Sequence, residues 1–312
     1  MTKATVLVAG AAGTLGHKTC LSLSRLPDVK ARGLVRSLEP TDPEKRKVID
    51  DLKAAGVDLV EGDVMKAETL AKACEGVDVV VSTVLGPDEV FITGQGNLVE
   101  AAKAAGASKF VASCFSMDIF GAEPGVTSNP LIEVRRQFAD TLKQSGIPSL
   151  HINMGVFMEV FWGFYTIWDN ENKTLRFYGS PDTKVDVSTY DDVAAWTARA
   201  AVDDSITGVL EVVGEEISMN EVAAVWKEVK GEDIKLECLG SINDLKAEIV
   251  RQKTETPANW MSWVPLTYQY QMFGGPGKLK HVANDRFPDV KPTTMKEFLQ
   301  ANPDVTKVAW WP

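Results

Sequence analysis

Three glycines spaced three residues apart lie near the start of the chain, in the segment Gly10-Ala11-Ala12-Gly13-Thr14-Leu15-Gly16. A β-branched run at residues 5–9 precedes them and an apolar-periodic stretch follows, which predicts a strand, a tight turn and a helix. In such a turn the first glycine permits the bend, the second lets backbone approach a pyrophosphate, and the third lets helix pack on strand. Amides at the amino end of the helix would bind the anion. The residues expected to bind a dinucleotide diphosphate are Gly10, Ala12, Gly13, Thr14, Leu15 and Gly16.

Arg36 indicates which dinucleotide would bind. It follows the apolar run at residues 31–35, where NAD-specific sites usually have an acidic residue that accepts from the ribose 2′-hydroxyl. A guanidinium instead matches a 2′-phosphate through two parallel hydrogen bonds. Lys45 could add a second positive charge, and the alternative for both side chains is an ordinary solvated surface position. The pattern favours NADP(H).

Two further polar residues follow the next predicted strands. Asp63 comes after the run at residues 58–61, and Thr83 comes after the run at residues 77–81. Ligands of open α/β sheets bind at the carboxyl edge of the strands. We therefore expect Asp63 to reach the adenine amino group and Thr83 to lie beside the centre of the cofactor; the alternative for each is a structural role at a strand end.

The chain lacks a common pair of catalytic residues. Short-chain dehydrogenases often use a Tyr with a Lys four residues later, because the Lys lowers the pKa of the phenol and makes it a general acid. None of the five tyrosines has a lysine at that distance: they are Tyr165, Tyr178, Tyr190, Tyr268 and Tyr270. His151 has a suitable ordinary pKa, but it lies inside a predicted core strand, which favours a structural role.

The elements that must position these residues alternate regularly in the first half of the chain. Short β-branched runs predict strands at 5–9, 31–35, 58–61, 77–81, 110–112 and 149–153. Amphipathic stretches predict helices at 43–55, 67–73, 96–105 and 131–145. This alternation predicts right-handed βαβ units and an α/β fold with a Rossmann-type, doubly wound parallel sheet.

The second half of the chain is rich in aromatic residues. Of the 12 Phe, 8 Trp and 5 Tyr, only five Phe precede residue 151. Phe157, Phe161, Phe164 and Trp168 recur at the spacing of one helix face. The aromatic residues at 260–273 show little helical period and are followed by glycines, so that stretch is predicted to be a loop or lid lining an apolar pocket.

These patterns predict two regions. Residues 1–156 would form the dinucleotide-binding domain, and the strand and helix predicted within 184–213 would return to it. Residues 157–183 and 214–312 would form a smaller, aromatic-rich substrate region. Its predicted substrate contacts are Phe157, Phe161, Trp260, Trp263 and Tyr268.

Composition excludes several function classes. The net charge of −10 argues against binding to nucleic acid or to an anionic membrane surface. No apolar run reaches the roughly 20 residues that a membrane span needs. The apolar run at 4–9 could pass for a signal peptide, but the periodic glycines after it favour a buried strand. Four scattered cysteines and three histidines without HExxH predict a cytoplasmic protein without a metal site.

Several longer motifs carry a resemblance to a known family. Besides the glycine turn they are Leu34-Val35-Arg36-Ser37, Pro43-Glu44-Lys45, Gly62-Asp63, Val77-Asp78-Val79-Val80-Val81-Ser82-Thr83, Lys109-Phe110-Val111-Ala112-Ser113, Gly146-Ile147-Pro148 and Gly155-Val156-Phe157-Met158-Glu159. Over residues 4–215 the chain resembles the atypical short-chain dehydrogenase/reductases that include the NmrA-like proteins and the isoflavone, phenylcoumaran benzylic ether and pinoresinol–lariciresinol reductases.

The resemblance implies that NADPH binds through the glycine turn, Arg36 and Lys45, with Thr83 and the turn of Gly155 and Phe157 near the nicotinamide. In the reductase branch a lysine serves as acid/base, and matching its helix puts Arg135 at that position. Arginine stays protonated, so it can polarise a carbonyl or stabilise an oxyanion but donates protons poorly. The proton would then come from water, Ser113, Ser116 or a tyrosine of the aromatic half.

Two functions follow from these expectations. The favoured one is NADPH-dependent reduction of a C=O, C=C, C=N or benzylic ether bond in a hydrophobic, aromatic secondary metabolite, by a chain that could form a homodimer. The alternative is a non-catalytic regulator that binds NADP(H) and reports its redox state, as the NmrA-like regulators are thought to do. The aromatic second half favours the enzyme, because a redox sensor has little need for an apolar cavity.

Overall fold

A seven-stranded parallel sheet forms the centre of the structure, a computed structural model that describes residues 4–307. Its strands have the order β11-β6-β5-β4-β1-β2-β3. Two three-stranded sheets accompany it, with the orders β12-β10-β7 and β13-β9-β8. The strands are β1 Ala4–Ala9, β2 Val29–Val35, β3 Asp58–Glu61, β4 Val79–Ser82, β5 Lys109–Val111, β6 Ser149–Asn153, β7 Val156–Phe157, β8 Trp168–Asp169, β9 Thr174–Phe177, β10 Val185–Ser188, β11 Gly208–Glu211, β12 Glu215–Ile217 and β13 Lys235–Cys238.

Helices cover both faces of the large sheet. They are α1 Thr14–Ser24, α2 Pro43–Ala54, α3 Leu70–Cys74, α4 Gln95–Ala104, α5 Pro130–Ser145, α6 Met158–Phe161, α7 Tyr190–Val202, α8 Met219–Lys230, α9 Ile242–Glu255, α10 Val264–Phe273 and α11 Met295–Ala301. Among the described residues no helix is long and apolar enough to cross a membrane.

The alternation of side chains along β1 shows why helices must pack on both faces of the sheet. Val6 and Val8 belong to one hydrophobic core, whereas Leu7 and Ala9 belong to the other. All four are fully buried. Successive strand residues point to opposite faces, so a strand that is apolar at every position is stable only between two layers. The predicted Rossmann-type, doubly wound fold is confirmed.

The elements after residue 183 divide between the sheets. Helix α7 packs against α1, and β11 extends the large sheet by pairing with β6. Strand β10 instead pairs with β7 and β12 in a small sheet. Residues 1–3 and 308–312, at the ends of the two predicted regions, lie outside the described residues.

The prediction of one helix carrying Phe157, Phe161, Phe164 and Trp168 is wrong. Phe157 ends β7, α6 spans only Met158–Phe161, and Trp168 begins β8. The chain turns at Gly163, and Thr166 has a φ of +56° that no right-handed helix contains. Phe161 in α6, Phe164 in the turn after it and Trp168 in β8 are buried in one core, whereas the partly buried Phe157 packs against the other.

The prediction of a loop or lid at residues 260–273 is also wrong. A short 3₁₀ turn at Trp260–Ser262 leads into α10, Val264–Phe273. This helix hides its period because it is buried almost all round, including its polar residues. Gln269 donates to the Tyr165 carbonyl at 2.7 Å, and Gln271 donates to the carbonyl oxygens of Glu123 and Thr127. Polar residues that look solvent-facing in the sequence therefore hold the helix in the interior.

Candidate functional site

The glycine turn joins β1 to α1 in a shape that only glycine allows at two positions. Gly10 has a φ of +87°, and its carbonyl accepts from the Gly13 N–H at 2.9 Å. A Cβ atom on Gly16 would lie 2.2 Å from the Gly10 carbonyl oxygen and 2.6 Å from Thr83 Oγ1. The turn therefore brings the first turn of α1 directly against the end of β1.

The amino end of α1 has no side chain that caps it. Gly13 is the N-cap residue, and the first turn contains no acidic residue. The first amides of a helix have no partner within the helix, and they carry the positive end of its dipole. This end of α1 can therefore bind an anion such as a pyrophosphate.

Two positive charges flank the turn. Lys45 Nζ donates to the Ala12 carbonyl at 3.0 Å, so the structure brings Lys45 directly to the glycine turn. Arg36 is exposed one residue after β2, whose Leu34 carbonyl accepts from the Ala11 N–H. Within residues 4–307 no carboxylate forms an ion pair with the Arg36 guanidinium. Both side chains can therefore reach an extra phosphate bound beside the turn.

Asp63 and Thr83 lie at the same sheet edge but already make structural hydrogen bonds. Asp63 Oδ1 accepts from the Met65 N–H at 3.0 Å, which shapes the turn after β3. Thr83 Oγ1 donates to the Ala9 carbonyl at 2.8 Å, which ties the end of β4 to β1. Their predicted contacts with adenine and with the cofactor's centre stay predictions.

The three predicted catalytic residues are held in different ways. Ser113 Oγ donates to the Val84 carbonyl at 2.8 Å, so its proton is committed to the backbone. The Ser116 carbonyl accepts from the Met154 N–H at 2.7 Å, which joins the segments after β5 and β6. Arg135 Nη1 donates to the Leu131 carbonyl at 2.5 Å, and its guanidinium lies 4.8 Å from the centre of the Phe91 ring.

Tyr268 on α10 is a buried tyrosine whose pKa is shifted by opposing effects. Its side chain is almost fully buried, and burial raises the pKa of its phenol, whereas the positive charge of Arg135 and the Ser116 side chain lower it. Its ring packs edge-on against Phe164 and Tyr165, with centroids 5.8 Å and 5.7 Å away. Tyr268 is one of the predicted substrate contacts, and no local spacing could have shown this packing of α10 against the turn after α6.

A buried carboxyl group near Phe157 was also missed. The Phe157 ring stacks on Tyr190 with centroids 3.9 Å apart. Glu159 Oε1 accepts from the Tyr190 N–H at 3.0 Å, whereas Glu159 Oε2 is buried without a partner. Burial raises the pKa of Glu159 to about 7. The preceding turn requires glycine, because Gly155 has a φ of +76° and its Cβ would lie 2.2 Å from the Asp186 carbonyl oxygen.

His151 is neutral at physiological pH. Burial lowers its pKa to about 4, and its ring lies edge-on against Phe120 at 5.4 Å. A neutral, buried imidazole with Nδ1 unpartnered is consistent with the structural role that its strand position predicts.

The five predicted substrate contacts do not share one surface. Phe161 is fully buried in the core, so it cannot touch a ligand in this structure. Trp260 is exposed, and Trp263 lines a cleft of about 750 Å³ beside the first turns of α5. The Lys253 ammonium lies 4.9 Å from the centre of the Trp263 ring. Val134, the neighbour of Arg135, lies on the opposite side of this cleft.

Comparisons with known proteins cover nearly the whole chain. A family model described as the NmrA-like family matches residues 2–299. The isoflavone reductase homolog P3 of Arabidopsis thaliana is 27% identical over 318 residues, covering 95% of this chain and 97% of the relative. The phenylcoumaran benzylic ether reductase Pyrc5 of Pyrus communis is 28% identical over 320 residues, covering 95% and 98%.

Solved structures show the same fold. A crystal structure of isoflavone reductase aligns with a TM-score of 0.82 at 22% identity, covering 96% of this chain and 99% of that chain. The structure described as AtPrR2 with NADP+ and (+)pinoresinol aligns with a TM-score of 0.81 at 24% identity, with the same coverage.

Proposed function

The chain belongs to the NmrA-like family, as its motifs predicted, and on this premise we propose that it is an NADPH-dependent reductase of small aromatic secondary metabolites. The observation that carries the proposal is the uncapped amino end of α1 behind the glycine turn, flanked by Arg36 and Lys45. Relatives described as reductases of phenolic compounds match the chain from end to end, which supports the same reaction class here.

The residues at the sheet edge fit a bound dinucleotide. In the proposal the first amides of α1 hold the diphosphate, and Arg36 and Lys45 hold the 2′-phosphate. Gly10 and Gly16 let the first turn of α1 pack against the ends of β1 and β4, and Gly13 leaves the amino end of α1 without a side chain. The nicotinamide would supply hydride when bound. Thr83, Gly155 and Phe157 would lie beside it.

The aromatic substrate would bind between the sheet edge and the second region, which we propose to comprise residues 157–183 and 214–312. The bond reduced is a C=O, C=C, C=N or benzylic ether bond. Arg135 stays charged at any relevant pH and would stabilise negative charge that develops on a substrate oxygen. We further propose a cytoplasmic protein that can form a homodimer.

One observation favours a second candidate function. The resemblance puts Arg135 at the position of the acid/base lysine of the reductase branch, and an arginine does not release its proton. A protein that binds NADP(H) without turnover, and reports its redox state to a partner, would not need that lysine.

The decisive experiment measures cofactor choice and turnover together. NADPH and NADH are titrated into the wild type and Arg36→Ala, with Arg25→Ala, an exposed arginine at the far end of α1, as the matched control. We expect Arg36→Ala to weaken NADPH binding about 10- to 100-fold and to leave NADH unchanged, since it removes a charge-assisted contact.

Turnover then separates the two functions. NADPH absorbance is followed with a panel of aromatic ketones, enones and benzylic ethers. Oxidation of NADPH by one or more of them supports the reductase. Tight NADPH binding with no oxidation across the panel favours the regulator, and equal affinity for NADH and NADPH in the wild type contradicts the predicted 2′-phosphate contact.

A further inference from the structure

We propose that two copies of this chain associate through the open edge of β13, Lys235–Cys238, which pairs with β13 of the second copy as an antiparallel strand. The twofold axis would pass beside Leu236, so that Leu236 faces its own counterpart. This inference rests on the homodimer of the proposed function, to which it assigns an interface, and it does not depend on the reductase reaction.

One edge of β13 has no partner strand. It is the terminal strand of the sheet with the order β13-β9-β8, and its one strand partner within residues 4–307 is β9. All four of its residues are exposed. The free N–H and C=O groups of such an edge form a template on which another strand can pair.

The hydrogen bonds to β9 show which backbone groups are left over. The Lys235 N–H donates to the Lys173 carbonyl at 2.9 Å, and the Leu239 N–H donates to the Phe177 carbonyl at 2.8 Å. Backbone groups turn to alternate sides along a strand, so the odd-numbered residues of β13 bond to β9. The N–H and C=O groups of Leu236 and Cys238 therefore point to the open edge.

These free groups restrict the register of a second copy. In an antiparallel pair, hydrogen-bonded residues that face each other exchange both of their backbone bonds. With Leu236 opposite its own counterpart, Ile234 lies opposite Cys238 and Lys235 lies opposite Glu237. Twofold symmetry repeats each of these contacts. All residues that must bond across the edge are then even-numbered, as the structure requires.

Charge selects this register over its neighbours. Sliding the second strand by two residues in one direction would put Glu237 opposite Glu237, and sliding it in the other would put Lys235 opposite Lys235. Opposite charges across a strand pair stabilise it, whereas like charges destabilise it. The register centred on Leu236 places a lysine opposite a glutamate at both positions.

The two charged side chains are available for this contact. Lys235 is exposed and has no carboxylate within 4.0 Å of its ammonium among the described residues. Glu237 Oε2 pairs with Arg176 Nε on β9 at 3.0 Å, which holds the carboxylate beside the sheet. Successive strand residues point to opposite faces, so Lys235 and Glu237 share one face and Leu236 and Cys238 share the other.

The edges of the large sheet do not offer the same match. At one of them, β3 carries Asp58 and Glu61 as its charged residues, so two copies of it would bring carboxylates together. At the other, Glu211 of β11 already bridges to Val282. Among these three edges, β13 is the one that is both open and complementary to itself.

The first test reverses one charge at a time. Lys235→Glu and Glu237→Lys each put like charges opposite each other at both symmetric positions. Lys47→Glu is the matched control, because Lys47 is exposed on α2 and its substitution makes the same change of charge. Sedimentation velocity over a series of protein concentrations should show a wild-type dimer. We expect each β13 variant to weaken association about tenfold or more, and the control to match the wild type.

An equimolar mixture of the two β13 variants should associate again. The Lys235→Glu chain then carries two carboxylates at the paired positions, and the Glu237→Lys chain carries two ammonium groups. Every charge therefore meets its opposite in the mixed dimer. A loss of folding in either variant would not be repaired by mixing, so recovery of the dimer identifies the strand contact itself.

A second test maps the register with disulfides. Cys238→Ser removes the exposed thiol, and the other three cysteines are buried. In this background Leu236→Cys should cross-link to its own copy under mild oxidation, because facing Cα atoms lie about 5.5 Å apart. Lys235→Cys and Glu237→Cys should cross-link to each other when mixed. Neither should cross-link to itself, since those Cα atoms would lie on the order of 8 Å apart.

Each outcome decides the proposal separately from the reductase. A wild type that stays monomeric overturns it and leaves the edge to a strand of another protein. A dimer that survives Lys235→Glu and Glu237→Lys, or self-cross-linking by Lys235→Cys, also overturns it. NADPH affinity should be the same for the wild type and the β13 variants. Failure of this interface therefore leaves the cofactor site and the reductase untouched.

Discussion

The glycine turn and the surroundings of Tyr268 are built in opposite ways. The turn is made within one short segment, Gly10 to Gly16, and its shape depends on backbone angles and missing side chains. The Tyr268 surroundings combine α10 with Phe164 and Tyr165 from the turn after α6 and with Asn129, the N-cap of α5, which donates to Thr267. Backbone sites of the first kind can be recognised from spacing alone, whereas side-chain sites of the second kind depend on the whole topology.

The two regions also differ in how far their ionisable groups are buried and in how burial changes the pKa values of those groups. Around the turn the important charges, Arg36 and Lys45, are exposed, and Lys45 donates to the Ala12 carbonyl. In the second region Tyr165, Tyr268 and Glu159 are ionisable groups whose pKa values burial raises. The first region recognises charge, and the second keeps its groups neutral. This division is what an enzyme needs when it binds an anionic cofactor and transfers a proton in a dry site.

Phe161→Ala should cause the largest loss of stability among the variants of the aromatic region. Phe161 is fully buried, so we expect a loss of about 3–5 kcal/mol in the free energy of unfolding, as for other buried Phe residues. Trp260→Ala is the matched control, because Trp260 is exposed and its loss should cost far less. Urea unfolding of both variants measures the difference. Equal costs would contradict the fully buried position of Phe161.

Gly16→Ala tests the shape of the glycine turn. The added Cβ would lie 2.2 Å from the Gly10 carbonyl oxygen, so the backbone of the turn must move. We expect about 1–3 kcal/mol lower stability, typical of overpacking, together with loss of NADPH binding. Gly96→Ala is the control, since Gly96 lies in α4 and a Cβ atom there would have no other atom within 4 Å. Calorimetric titration with NADPH that shows equal binding by both variants would contradict the proposed diphosphate site.

Glu159→Gln tests, through the pH dependence of stability, whether the second region keeps a buried carboxyl group neutral. Burial raises the folded pKa of Glu159 to about 7, although Lys18 opposes the shift. The folded state therefore binds a proton that the unfolded state releases near its ordinary pKa of about 4.3. Wild-type stability should fall as pH rises between these values, by on the order of 3–4 kcal/mol.

The Gln variant lacks this titration, so its stability relative to the wild type should increase from about pH 5 to pH 8. Asp191→Asn is a suitable control, because Asp191 is exposed and pairs with Lys18 at 2.8 Å. Parallel stability profiles for the wild type and Glu159→Gln would show that Glu159 is ionised in the folded protein.

The fold could be predicted because its signals are local. Each strand of the large sheet before residue 154 contains a short apolar run. The N-cap residues of the helices and the glycines that follow the helices also stand at recognisable positions. Helix α5, for example, begins after Asn129 and ends at Gly146, whose φ is +78°. The glycine turn and the positions of Arg36 and Lys45 followed from the same kind of signal.

The second half could not be predicted in the same way, for two physical reasons. Helix α10 is buried on nearly every side and therefore shows no amphipathic period. The aromatic residues from Phe157 to Trp168 have helical spacing but lie in β7, in α6, in the turn after it and in β8. In both cases tertiary packing overrides the pattern in the sequence, and the packing of Tyr268 against Phe164 and Tyr165 is a result of it.

The uncapped amino end of α1 would make the stability of the folded chain depend on the concentration of its ligand. Since Gly13 offers no side chain that caps the helix, the first amides of α1 are left for water or for an anion. A dinucleotide held there would favour the folded state by mass action, and the gain would grow with the logarithm of its concentration. A cell short of reduced coenzyme would thus expose this chain to proteolysis sooner than a well-supplied one.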